Sequence, residues 1–149
     1  MFAPNANGWI DPLGLSGYLL RKSMERQNMY RPNSTWQTHH IIPERTWDKF
    51  SNFLKDIGMK GKGRGKNSYS NGLYMPSDMD EATKCKRKFF HNSRHRDYTS
   101  LIEKRLEKWQ EQVKNGDMTK QKALEKVQNL QKIAKRLLSS KSNISQRLG

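Results

Sequence analysis

The four histidines of this chain fall into two clusters, His39-His40 and His91-Asn-Ser-Arg-His95. Imidazole is the commonest neutral metal ligand, and it titrates close to neutral pH. On a helix, residues 91 and 95 stand one turn apart on one face, so both rings can reach a single ion. Adjacent residues of an extended strand point to opposite sides. His39 and His40 therefore divide two tasks, one binding the metal and the other facing the substrate or the core. Three neutral imidazoles leave an open position on a tetrahedral ion, which is the arrangement of a catalytic site. In phosphodiester cleavage such an ion neutralises the scissile phosphate and stabilises the departing oxygen. A fourth imidazole, left uncoordinated, can deprotonate the attacking water. The competing readings are a set of surface histidines and a structural metal site without chemistry.

Charge surrounds these clusters. The 149 residues hold 29 Lys and Arg against 14 Asp and Glu, a net charge of +15, and the isoelectric point is near 10.1. Residues 1–54 carry 6 basic and 4 acidic side chains, 55–97 carry 11 and 5, and 98–149 carry 12 and 5. So large an excess repels itself unless a polyanion uses it, and nucleic acid leads that class. Lys62, Arg64 and Lys66 lie in a basic glycine loop, Lys60–Lys66, which lacks the Gly-Lys-Ser/Thr ending of a phosphate-cradling loop. They, with Lys86–Lys88, are expected to touch phosphates rather than read bases. Arg94 and Arg96 flank His95 and are candidates for the scissile phosphate. Either Glu44 or Glu103 could accept a hydrogen bond from a ligand imidazole. The single cysteine, Cys85, excludes an internal disulfide framework and a cysteine zinc cage.

The elements that must position these groups are short. The length suits one domain plus arms, and only 33% of residues are hydrophobic, so the core is small. No strictly apolar run exceeds a triplet, which excludes a transmembrane helix and a membrane anchor of that kind, and no secretory signal pattern follows Met1. Residues 1–17 are rich in turn formers and read as a connector without a helix. A short helical pattern runs from Tyr18 to Met29. Trp36 to Pro43 suits a strand and turn, and Gly72 to Pro76 a second strand. Trp47, Phe50, Phe53, Leu54 and Ile57 predict an amphipathic helix over 44–57. Residues 80–97 are mostly polar and enter a helix around His91. The helix continues through Leu101, Ile102, Leu106, Trp109 and Val113 to a break at Asn115-Gly116. A further helix carries Ala123, Val127, Leu130, Ala134 and Leu137 as a packing stripe, either for a helical hairpin or for a partner groove. Trp36, Trp47 and Trp109 are expected as core anchors. Residues 139–149 read as frayed.

Trp36-Gln-Thr-His-His-Ile-Ile-Pro43, Asn71-Gly-Leu-Tyr-Met-Pro76 and His91-Asn-Ser-Arg-His-Arg-Asp-Tyr98 together resemble the HNH/endonuclease VII superfamily, specifically its Ala-His-His nucleases. The likeness covers about residues 36–106. It implies an α+β fold, mostly α, with a small ββα-metal (His-Me finger) core, added helices and a C-terminal helical hairpin. It also implies His39 as a metal ligand, His40 as general base, Asn71 as the residue fixing the strand and loop that carry the base, and His91 and His95 as the remaining ligands. Thr38 stands where the family has Ala. The implied cofactor is one divalent ion, with zinc the first expectation and magnesium, manganese or nickel as alternatives.

Gly8-Trp-Ile-Asp-Pro-Leu-Gly-Leu15 resembles the closing segment of the Rhs-repeat core of bacterial polymorphic toxins. That resemblance implies residues 1–15 as the end of an Rhs-type core cleaved after Leu15, and 16–149 as a nuclease toxin domain. It further implies a secreted effector delivered into the cytoplasm of a rival cell and a cognate immunity protein. Charge complementarity predicts that this protein is acidic. The expected activity is a metal-dependent DNase. The alternatives are an RNase with the same site and a nucleic-acid-binding module with a structural zinc.

Overall fold

Trp36–His40 (β1) and Gly72–Pro76 (β2) form an antiparallel pair in which His39 faces Leu73 and His40 faces Gly72. The computed structural model describes residues 12–90, 96–142 and 145–147. Around this pair stand six α-helices among the described residues: α1 (Pro12–Glu25), α2 (Glu44–Lys49), α3 (Ser51–Asp56), α4 (Met79–Lys84), α5 (Arg96–Lys114) and α6 (Lys120–Leu138). A second small sheet pairs Phe89–Phe90 (β3) with Gln146–Arg147 (β4) in parallel. The architecture is α+β and mostly α, as the sequence predicts. None of the described helices is long and apolar enough to cross a membrane.

Two apolar clusters hold the strands in place. In the first, Trp47, Phe50, Phe53 and Leu54 pack against Ile102, Leu106 and Trp109 of α5 and against Ala123, Leu124 and Val127 of α6. In the second, Ile41, Leu73 and Met75 bury against Ala134 and Leu138 of α6. Fully burying one Leu, Ile, Phe or Met side chain is worth about 1.5–3 kcal/mol, so these contacts dominate the fold. Tyr98, in the first turn of α5, borders both clusters. Helices α5 and α6 form the hairpin, turned at Gly116 with φ 80°, where a left-handed residue ends the helix at no steric cost. Thr119 caps α6 by accepting from the Lys122 N–H at 3.1 Å.

Several expectations change. Residues 12–17 are helical and not a connector, so α1 begins six residues before Tyr18. Pro12 suits a first helical turn, where its missing N–H costs nothing, and Leu20 and Met24 bury completely, which compensates for two glycines. The 44–57 helix is divided at Phe50, whose φ of −104° departs from helical geometry. Polar residues 80–90 hold α4 and β3, and the tail expected to fray pairs with β3 through residues 146–147. On α6, Leu137 is 55% exposed while Leu138 is buried. Ala123, Val127 and Ala134 are buried as expected, and the stripe also takes in Leu124, Gln131 and Leu138, so only Leu137 is replaced by its neighbour. With Val127 fully buried, that stripe serves the hairpin. The three tryptophans are core residues as predicted, with Trp36, Trp47 and Trp109 at most 7% exposed.

Candidate active site

Strand alternation gives His39 and His40 different surroundings. His39 lies on the face that meets α5 and is 2% exposed. Its ring centroid is 5.8 Å from that of Tyr98, tilted by 59°. Tyr98 is anchored in turn, its Oη donating to the Ile41 carbonyl, and burial pushes its phenol pKa up. His40 is half-buried on the other face. Its Nε2 lies 2.8 Å from Asn67 Oδ1 and 3.4 Å from Ser16 Oγ, and Ser16 Oγ also donates to Asn67 Oδ1 at 2.8 Å. With the Asn67 amide so placed, Oδ1 only accepts, so Nε2 carries the imidazole proton and Nδ1 keeps the lone pair. Burial holds the His40 pKa below its ordinary 6.5, the Lys66 ammonium pushes the same way, and the Asn67 hydrogen bond opposes both. The result is an imidazole that is neutral at neutral pH.

Helix α1 reaches this face because residue 72 is glycine. A Cβ there would stand 2.7 Å from Met24 Sδ and 2.9 Å from Leu20 Cδ1. Both side chains are fully buried, so neither can swing clear. The close approach brings Ser16 to His40 and Ser23 to the Tyr69 N–H, whose proton Ser23 Oγ accepts at 2.9 Å.

Asn71 is the fixed point of the site. It is fully buried. Its Oδ1 accepts from the Ile42 N–H at 2.8 Å, and its Nδ2 donates to the Ile42 carbonyl at 3.2 Å and the Lys66 carbonyl at 3.0 Å. Gln131 Nε2 adds a donation to Oδ1 at 3.1 Å. One side chain thus ties the chain just after His40 to the 60–68 loop and to α6. A buried hydrogen bond is worth about 1 kcal/mol net, and a buried group left unpaired costs about 1–3 kcal/mol.

The remaining candidates divide. Lys62 and Arg64 are exposed on the glycine loop, and Lys66 pairs with Asp48 at 3.1 Å. His91, Arg94 and His95 lie outside the described residues. The backbone of Arg96 opens α5, and its side chain is also outside them. Arg87, grouped with Lys86 and Lys88 as a phosphate contact, is structural instead. It donates to the Tyr74 and Leu138 carbonyls at 3.2 and 3.1 Å and lies 5.1 Å from the Trp36 ring centroid. Glu103 is engaged by Thr46 Oγ1 at 3.2 Å and Lys49 Nζ at 3.1 Å. Cys85 donates to Glu81 at 3.7 Å, and burial pushes its thiol pKa up, as suits an inert thiol.

Among the described residues no group of three or more His, Cys, Asp or Glu side chains is placed to hold a metal. The donor chemistry of this chain still fits one. His39 supplies a buried imidazole, and Tyr98, three residues after His95, packs against it. Imidazole donors of this kind suit zinc and its neighbours in the transition series.

Sequence reasoning missed Ser16, Asn67, Tyr98 and Gln131. Gln131 alone carried a signal, as a polar residue at the buried spacing of Val127 and Ala134. No curated protein and no solved structure matches the chain. Residues 20–137 match AHH, described as a nuclease family of the HNH/ENDO VII superfamily with conserved AHH. That span contains β1 and β2, the chain's single His-His pair and the helical hairpin up to Leu137, and the chain belongs to this nuclease family.

Proposed function

We propose that the protein is a metal-dependent endonuclease that hydrolyses phosphodiester bonds of DNA. The observation that carries this reading is the division of two adjacent imidazoles, one buried beside α5 and one poised, neutral, in a polar relay. His39, His91 and His95 would hold one divalent ion, zinc first among magnesium, manganese and nickel. That ion would neutralise the scissile phosphate and stabilise the departing oxygen. His40 Nδ1 accepts the proton of the attacking water, while Nε2–H donates to Asn67 and keeps the ring in register. Asn71 holds Ile42 and Lys66, the residues on either side of that relay. Arg94 and Arg96 engage the phosphate to be cut, and Lys62, Arg64 and Lys66 engage its neighbours.

The test is incubation of the protein with plasmid and with total RNA, each with and without chelator. Chelator-sensitive nicking of plasmid is the expected result. Cleavage confined to RNA would replace the substrate and keep the site, and cleavage of neither would favour a zinc-containing binding module. His91→Ala and His95→Ala should each lower metal affinity and activity together. Full retention of both in His91→Ala would remove that ligand.

The sequence likeness at Gly8–Leu15 supports a toxin role, with an Rhs core preceding the nuclease and delivery into a rival cell. The bond after Leu15 lies in the first turn of α1, and Leu15 is 60% exposed. A cut there would make Ser16, the neighbour of His40, the first residue. The producing cell would need an acidic immunity protein, seated over His40 and the Lys60–Lys66 loop, where the basic charge is concentrated. Co-expression with the adjacent small reading frame, pull-down and a nuclease assay over a salt series test this. A basic binder, or toxicity undiminished by any neighbour, would end the toxin reading and leave the nuclease intact.

A further inference from the structure

Between the 60–68 loop and α6 lies a cleft of about 480 Å³, separate from the His40 relay. Lys62 and Arg64 enter it from the loop, and Lys132 and Lys135 from α6. No carboxylate lines it. None of these four cations has an ion-pair partner among the described residues, whereas Lys66, Lys49 and Lys120 each have one. Burial depresses the Lys135 pKa, so a desolvation cost is maintained there without an internal counter-charge. The cleft is not merely a basic surface. Tyr69 and the buried Gln131 are among its lining residues, and the Gln131 amide donates to Asn71.

We propose that this cleft binds one nucleotide unit, its phosphate held by the four cations and its base set against Tyr69. The proposal rests on the nuclease reading above and deepens it. The volume lies within the range of small-ligand pockets and exceeds what a bare phosphate needs. Cations and an aromatic ring in one cleft are the pairing that binds single strands, the cations tracking the backbone and the ring stacking a base. The nucleotide could belong to an unpaired stretch of the substrate strand or be a free nucleoside monophosphate. Through Gln131 the cleft touches the same Asn71 that ties down the chain on both sides of His40.

The test measures binding by the intact protein in chelator, so that nothing is cleaved, using a labelled 12-nucleotide single strand, dAMP and inorganic phosphate as probes over a salt series. In the double variant Lys132→Gln/Lys135→Gln, single-strand affinity should fall at least tenfold. The slope of log affinity against log salt should shrink by up to about 0.7, the value for one lost phosphate contact on a single strand. The exposed pair Lys104→Gln/Lys108→Gln on α5 serves as control and should lower affinity by less than threefold. Tyr69→Leu should weaken the strand and dAMP but leave phosphate unchanged. Competition by dAMP for the strand would identify a site open to free nucleotides, and strand binding without dAMP binding would identify a site for the substrate strand alone. Equal losses in the α6 and α5 double variants, or no loss in Tyr69→Leu, would overturn the proposal. Binding in the cleft by a protein that cleaves nothing would sink the nuclease reading instead.

Discussion

The two faces of β1 carry the same side chain and treat it in opposite ways. On one, His39 is sealed beside Tyr98, Leu73 and the second apolar cluster. On the other, His40 meets the polar groups of Ser16 and Asn67, with Lys66 near enough to repel a proton. Burial without charge suits a ligand that must stay neutral and fixed, while a polar relay suits a ring that must take up a proton and release it. A one-residue step along a strand therefore creates two environments, and the surrounding helices, more than the motif, set them apart.

The largest expected effect breaks the active face alone. His40→Ala should lower single-turnover cleavage by about 10²–10⁴-fold, the range for a lost general base, with metal affinity nearly unchanged. Loss of metal by elemental analysis in that variant would exchange the roles of His39 and His40. Next, Asn71→Ala removes the clamp shared by both faces and should cost about 2–4 kcal/mol of stability, from lost hydrogen bonds and stranded groups. Urea unfolding measures it, and a change below 1 kcal/mol would show that the clamp is redundant. Gly72→Ala should displace α1 and cost about 1–3 kcal/mol as an overpacked core position. A crystal structure with Ser16 still against His40 would refute the close-packing argument.

The smallest effect sharpens the electrostatic difference. A base must be neutral to act, and the His40 pKa is depressed below 6.5. The acid limb of cleavage should therefore fall below that value, with activity intact above it and lost as pH drops through the depressed pKa. A divalent ion on His39 would push in the same direction. Asn67→Asp adds a carboxylate beside Nε2 and should raise the limb by up to about one unit, equivalent to about 1.4 kcal/mol. An unmoved limb would separate Asn67 from the base.

The strands, the hairpin and the opposed histidines were legible because each rests on local periodicity or on spacing. The strand alternation through His39 and His40 needed no tertiary knowledge, and Asn115-Gly116 marked its turn by composition alone. What escaped depended on contacts between distant segments. Nothing near Ser16 announces that Gly72, far along the chain, leaves room for α1. Arg87 looked like its lysine neighbours until Tyr74, Leu138 and Trp36 surrounded it. Asn67 hid inside a glycine loop whose charge drew attention to Lys62, Arg64 and Lys66. The stripe of α6 was legible through Ala123, Val127 and Ala134, but its end fell on Leu137 instead of Leu138 because the two are chemically alike, and the packing with Ile41, Leu73 and Met75 distinguishes them.

The pairing of β3 with β4 has a consequence in time. Phe89 and Phe90 obtain their parallel partner only from Gln146 and Arg147. A chain made at about 5–20 residues per second reaches those positions roughly 3–11 s after residue 90. During that interval the β1–β2 pair and the apolar cluster of α2 and α3 can form, but the strand that leads into the His91–His95 segment still lacks its neighbour. Synthesis therefore orders assembly, and the ribosome finishes the framework of this site only after residue 147.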